Sequence, residues 1–236
     1  MMAIKGILFD KDGTLIEVNG TWIPLYQAML GDVYGHSMGE VVELLERGGF
    51  DATTNAFKPG SVLAGGTTRE LVGLWWPELN ADQQRQRVHY IDNVVGPQAK
   101  KFVKPLMDLN PVFDELHAMG LVLGIGTNDS EASGKAHMEH LKVHHYFDVV
   151  IGADSVDIPK PSGQMIARFA EVTGLRVDEI AMVGDNSHDM EEARAGRAGL
   201  AIGVLSGNAK HEDIAHLADH VVDSVADLPR LLKGLA

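Results

Sequence analysis

Asp10 and Asp12 are the first residues in this chain whose type and spacing suggest chemistry. They stand one residue apart, are followed by Gly13-Thr14, and close the apolar run Ile4-Lys5-Gly6-Ile7-Leu8-Phe9. Along an extended chain, residues two apart project to the same side, so these like charges repel unless a cation bridges them or one holds a proton. Either resolution implies an active site. A calcium loop is excluded by spacing, because Gly13 follows Asp12 directly where such a loop needs a third oxygen ligand. Three further polar groups stand after apolar runs: Thr127-Asn128, Lys160 between Pro159 and Pro161, and Gly184-Asp185 with Asp189. These residue types suit phosphoryl transfer. Asp10 and Asp185 offer oxygens to a hard divalent cation such as magnesium. The Thr127 hydroxyl, the backbone N–H groups around Asn128 and the helix start beyond it suit phosphoryl oxygens. Lys160 can offset the charge of phosphate and carboxylates.

The elements around these residues explain how they could meet. Ile4–Phe9, Leu121–Gly126, Val149–Ile151, Ile180–Val183, Leu200–Leu205 and His220–Val222 are short apolar runs that read as buried strands. Helical stretches separate them at Pro111–Met119, Glu131–Leu141 and Gly163–Thr173, and another closes the chain at Leu228–Leu235. Such alternation predicts an α/β fold, a doubly wound parallel sheet in which the carboxyl ends of the strands share one edge. Between Asn19 and Gln98 the pattern changes: Trp22–Leu30, Met38–Glu46, Thr68–Trp76 and Asp82–Val95 place apolar residues three or four apart, as helices do. The expectation is a core formed by residues 1–17 and 104–236, with a small helical domain, residues 18–103, inserted after the first strand.

The whole chain limits the alternatives. Its 236 residues and 45% hydrophobic content allow a sizeable core. It has no cysteine, which removes disulfides, thiolate nucleophiles and cysteine zinc sites. A formal net charge of −13 argues against nucleic acid or an anionic membrane as partner, and it requires a metal ion and placed cations wherever an anion binds. No apolar stretch has the length of a membrane span, and the N-terminal run, interrupted by Lys5, is too short and charged for a signal peptide, so a cytoplasmic location is expected.

With these residues in order, the sequence resembles the haloacid dehalogenase superfamily, and within it the phosphatases with a cap inserted after the first strand, the group that includes phosphoglycolate phosphatases. Asp10-Lys11-Asp12-Gly13-Thr14 matches the first family motif, Thr127-Asn128 the second, Lys160 the third, and Gly184-Asp185 with Asp189 the fourth. The resemblance implies that Asp10 is the nucleophile forming an aspartyl-phosphate and Asp12 the general acid and then base. It implies that Mg2+ is held by the Asp10 carboxylate, the Asp12 main-chain carbonyl and Asp185, with Asp189 a ligand or close behind. Thr127, Asn128 and Lys160 would hold the phosphoryl group. The substrate implied is a small phosphorylated metabolite, phosphoglycolate or sugar-phosphate-like. A phosphomutase of the same superfamily and a non-catalytic binding protein of the same fold are the competing readings. Asp12 disfavours the dehalogenases, which lack an acid there.

Outside the motifs, Arg69 and Lys58 are the basic residues of the insert expected to contact substrate. His188 sits inside the fourth motif and reads as a bystander. His137 and His140 share a helix face without the accompanying Glu of a zinc protease and, with His144 and His145, are expected on a solvated face. Trp75-Trp76 reads as core of the insert, and Gly20 and Gly96-Pro97 as hinges.

Overall fold

The computed structural model describes residues 4–235. The strands are β1 (Gly6–Phe9), β2 (Phe50–Asp51), β3 (Ala56–Phe57), β4 (Val122–Gly126), β5 (Val149–Ile151), β6 (Ile180–Gly184), β7 (Leu200–Val204) and β8 (His220–Val222). Six of them form one parallel sheet in the order β5-β4-β1-β6-β7-β8. The chain winds outward from β1 through β4 to β5, then crosses back to β6 on the other side of β1. The order therefore reverses between β1 and β6, and ligands of doubly wound sheets bind outside the strand ends at such a point.

Strand β1 shows why four apolar residues suffice for a central strand. Ile7 and Phe9 point to one face, where Leu123, Ile125 and Val183 join the helices Asn110–Ala118 and Leu228–Leu235 in one buried cluster. Leu8 points to the other face, with Ile180 and Met182, against the helices Gln164–Thr173 and Ser187–Ala195. Both faces are covered, so both must be apolar.

Residues 18–99 build their own apolar cluster, with Trp22, Tyr26, Leu45, Phe57, Trp75 and Trp76 among its buried members. The Trp75 indole N–H also donates to the Leu44 carbonyl at 2.7 Å. Capping boxes fix three helix starts in this segment: Ser37 with Glu40, Thr67 with Glu70, and Asn80 with Gln83. Two boundaries differ from the sequence expectation. The first helix starts at Val18, four residues before Trp22, despite Asn19-Gly20, which resembles a turn. The helix Ala81–Tyr90 gives way to a π-helical turn at Ile91–Val95, as Val18–Ala28 does at Met29–Val33. The segment is also not wholly helical, because β2 and β3 pair as an antiparallel hairpin.

The two connections to this segment lie side by side: the Glu17 N–H donates to the Lys104 carbonyl at 3.0 Å and the Leu106 N–H to the Leu15 carbonyl at 3.0 Å. Further contacts tie it to the sheet side. Asn19 and Asn208 exchange side-chain amide hydrogen bonds, and the Ser130 hydroxyl donates to the Asp92 carbonyl at 2.7 Å. Among the described residues no helix is long and apolar enough to cross a membrane.

Asp92 lies at this seam, where burial pushes its carboxyl up to about 6, assisted by the nearby Asp154 charge and opposed by a Thr68 hydrogen bond. An acid with a raised folded-state value is neutral in both states below about pH 4; as pH rises towards 6 the unfolded chain ionises first and stability falls. Asp92→Asn is therefore expected to raise stability at pH 7 by about 1–3 kcal/mol. The gain should fade to nothing below about pH 4 in thermal melts followed across that range.

Candidate active site

Asp10 follows β1 directly, and its N–H donates to the Val183 carbonyl at 2.8 Å, continuing the pairing with β6. Asp185 follows β6, on the other side of the topological switch point. The loop after Asp10 turns sharply: the Lys11 carbonyl accepts the N–H groups of Leu15 and Ile16 at 2.9 and 3.1 Å. Gly13 has a φ of +80°, and a Cβ there would lie 2.5 Å from an Asp185 carboxylate oxygen, so only glycine allows that close approach.

Asp10, Asp185 and Asp189 are buried and can each turn an oxygen to within 4.8 Å of the others. Lys160 is buried between two of them, its Nζ 2.6 Å from Asp10 Oδ1 and 2.6 Å from Asp189 Oδ1. Burial alone would push the ammonium down, but the two carboxylates outweigh it and hold Lys160 charged. Burial pushes Asp10 up to about 7 despite Lys160, and pushes Asp185 well above the usual carboxylate range, with Asp10 and Asp189 adding to the shift. Among the described residues, Asp185 accepts only the Asn208 N–H, at 3.3 Å. Three buried carboxylates against one lysine form an oxygen-rich, under-neutralised cage, and a hard divalent cation fits that donor set.

The lysine loop is held from two sides. Asn128 Oδ1 accepts the Lys160 N–H at 3.1 Å while Asn128 Nδ2 donates to the Gly65 carbonyl, in the inserted segment, at 2.8 Å. Buried Glu192 accepts the N–H groups of Gly163 at 2.6 Å and Met165 at 2.9 Å, capping the helix that follows the loop. Thr127, 1% exposed, accepts the Asp129 N–H on its hydroxyl at 3.1 Å, just before Ser130 caps the helix Glu131–His140.

The Asp12 side chain turns to a different partner set. It forms an ion pair with Lys11, and Asp12 Oδ1 accepts the Trp22 indole N–H at 2.6 Å. Lys11 is fully buried and reaches Asp129 at 2.8 Å as well. Burial pushes Asp12 up, but the Lys11 charge and its hydrogen bonds from Lys11 and Trp22 outweigh it and hold Asp12 below the usual range. Asp129 is pushed up to about 7, by burial first. His137 lies behind Trp22, ring centroids 5.8 Å apart, with Nε2 3.1 Å from the Gly96 carbonyl. Burial first, then Lys11, lowers it to about 3.

A profile of the haloacid dehalogenase-like hydrolase family matches residues 7–202. The chain belongs to this family. Among its relatives, the pyrophosphatase PpaX of Bacillus mycoides is 25% identical over 238 residues, covering 99% of each chain. The phosphoglycolate phosphatase of Salmonella paratyphi A is 28% identical over 233 residues, 95% of this chain and 91% of that one. The crystal structure of a predicted phosphatase from Clostridium acetobutylicum has the same fold, with a TM-score of 0.74 and 18% identity over 99% of this chain and 100% of that one.

The fold thus brings together all four polar groups singled out in the sequence: Asp10, Asp12, Thr127, Asn128, Lys160, Asp185 and Asp189 line one cavity. Asp12 is apart from the carboxylate cage, its side chain engaged by Lys11 and Trp22. Lys58 and Arg69 lie elsewhere on exposed surface; Arg69 borders an outer groove with Asp92 and Asp154. His188 does line the cavity. His140, His144 and His145 are exposed as expected, whereas His137 is fully buried, because its turn of the helix faces Trp22 and not solvent. Sequence reasoning missed Lys11, Trp22, Asp129 and Glu192. The signal for Lys11 was its place between two aspartates at a strand end, where a long cationic side chain has nowhere to go but inward.

Removing Lys11 should leave the half-buried Asp12 and Asp129 carboxylates without their cation. Lys11→Met is expected to lower stability at pH 7 by about 3–5 kcal/mol. Adding Asp129→Asn should restore part of the loss in urea denaturation, because one stranded charge is gone.

Proposed function

We propose that this protein is a magnesium-dependent phosphatase that hydrolyses a small phosphorylated metabolite through an aspartyl-phosphate on Asp10. It is an enzyme, a phosphoric monoester hydrolase. The observation that carries this reading is the buried Asp10 carboxylate at the switch point, gripped by Lys160 and faced by Asp185 and Asp189. The names of the relatives, phosphoglycolate phosphatase and pyrophosphatase, agree with phosphate chemistry at this site.

Asp10, Asp185 and Asp189 would hold Mg2+, with the Asp12 carbonyl available beside them, and the ion would neutralise charge on the transferring phosphoryl oxygens. Asp10 attacks phosphorus, a bond from its carboxylate oxygen to phosphorus forms, and the bond to the leaving oxygen breaks. Lys160 keeps the attacking carboxylate in one orientation and offsets its charge. The leaving oxygen takes a proton from Asp12. Water then attacks the aspartyl-phosphate, Asp12 accepts its proton, and Asp10 is regenerated with release of inorganic phosphate.

The ion pair with Lys11 and the Trp22 hydrogen bond favour an ionised Asp12, which suits it to act as base in the hydrolytic half. Protonating a leaving group requires that grip to loosen. Trp22 belongs to the inserted segment, which makes residues 18–103 a cap whose closure sets the state of Asp12 over the core of 1–17 and 104–236. Its separate apolar cluster and paired connections support that division.

Phosphate release from small phosphate esters tests the reading. With magnesium, wild-type protein should release one phosphate per ester consumed, with water the sole acceptor, and chelation should stop it. Asp10→Asn should abolish turnover, and Asp12→Asn should lower kcat about 10²–10⁴-fold. Transfer of the phosphoryl group to an added alcohol without phosphate release would replace this reading with a phosphotransferase.

A further inference from the structure

We propose, resting on the phosphatase reading above, that the substrate is a phosphate monoester whose leaving group is small and uncharged, a short neutral alcohol or polyol and not a carboxylate or a second phosphate. The argument starts from the space. The cavity over Asp10 has a volume of about 40 Å³. One water needs about 10–15 Å³ on this measure, so the closed site accepts a phosphoryl group with only a short appendage.

The wall of that cavity is decisive. The inserted segment contributes Val18, Trp22, Tyr26, Val62 and Leu63, with no lysine or arginine among them. Trp22 and Tyr26 stack with centroids 5.4 Å apart, giving a flat aromatic side. The strap Ala64-Gly65-Gly66 closes the remainder, tied down by Asn128, and a Cβ on Gly65 would come within 3.0 Å of both Asn186 and His188. The basic residues Lys58 and Arg69 are exposed outside this space.

The charges nearest the leaving group are negative. Asp12 and Asp129 both line the cavity, and their shared cation Lys11 lies between them. Lys160 is likewise held by Asp10 and Asp189. Five carboxylates against these two ammonium groups leave a formal excess of three negative charges, which one divalent cation reduces to one before the phosphoryl group adds its own. A second anion on the leaving group would sit against Asp12 and Asp129, whose one cation, Lys11, they already share, and partial burial leaves that repulsion only partly screened. What the wall does offer is the Tyr26 hydroxyl, held protonated by burial and by Asp129 and Asp12, and His188 Nδ1, which is buried without a partner. Such groups suit a hydroxyl.

A matched pair of esters tests the proposal. 2-Hydroxyethyl phosphate and phosphoglycolate share one short skeleton and differ in an end that is a hydroxyl or a carboxylate. With magnesium, wild-type kcat/KM is expected to be at least about tenfold higher for the hydroxyethyl ester. Val62→Arg, which adds a cation to the wall, should shift the ratio about tenfold towards phosphoglycolate. Equal or better turnover of phosphoglycolate by the wild type would overturn the proposal. Acetyl phosphate, a reactive compound with an appendage as short as the hydroxyethyl group, run alongside separates the two readings: if none of the three compounds releases phosphate, the phosphatase reading fails. Calorimetric titration of the magnesium-loaded protein with the matched pair then decides the charge preference. Phosphoglycolate binding about tenfold more weakly than the hydroxyethyl ester supports it, and equal or tighter binding refutes it.

Discussion

The structure depends on how it keeps five carboxylates close together at one end of a parallel sheet. Two buried lysines divide the work: Lys160 spans Asp10 and Asp189, and Lys11 spans Asp12 and Asp129. Neither lysine could be buried without its pair of acids, because an isolated charge in that environment costs several kcal/mol. The two sets are separate in space and in purpose. One faces the carboxylate cage, while the other holds Asp12 against the inserted segment. Asp185 is left outside both, and burial, with the Asp10 and Asp189 charges adding to it, drives its carboxyl well above the usual range.

Much of this was legible in the sequence, because the residues concerned sit at strand ends and strands declare themselves. The runs at β1, β4 and β6 are too apolar and too short for anything but buried strands, and each is followed at once by its polar group. The doubly wound sheet follows from that alternation. The insertion was visible as a change in period, whereas the capping boxes at Ser37, Thr67 and Asn80 emerge only with the structure.

What the sequence hid were pairings between distant residues that carry no local pattern. Lys11 reads as a spacer until its partner Asp129 is brought beside it by β4, and Trp22 reads as helix core until its indole N–H meets Asp12. His137 is polar by composition yet buried by the packing of one helix turn. Glu192 acts across a helix pair to cap Gly163 and Met165, a contact fixed by tertiary geometry alone. The π-helical turns at Met29–Val33 and Ile91–Val95 likewise have no signature of their own, since periodicity at that length does not separate them from the helices they extend.

The paired connections at Leu15–Glu17 and Lys104–Leu106 bear on more than closure. Because the two ends of residues 18–103 are already hydrogen-bonded neighbours, the sheet side meets this segment as if it were a loop of fixed, near-zero span. The entropy of closing a loop grows only with the logarithm of its length, so lengthening, shortening or rebuilding the segment costs the sheet little. The segment is in effect a graft on a closed stem. The groups at the strand ends can persist while the surface that faces them is replaced wholesale, and the two can change at different rates in the history of the protein.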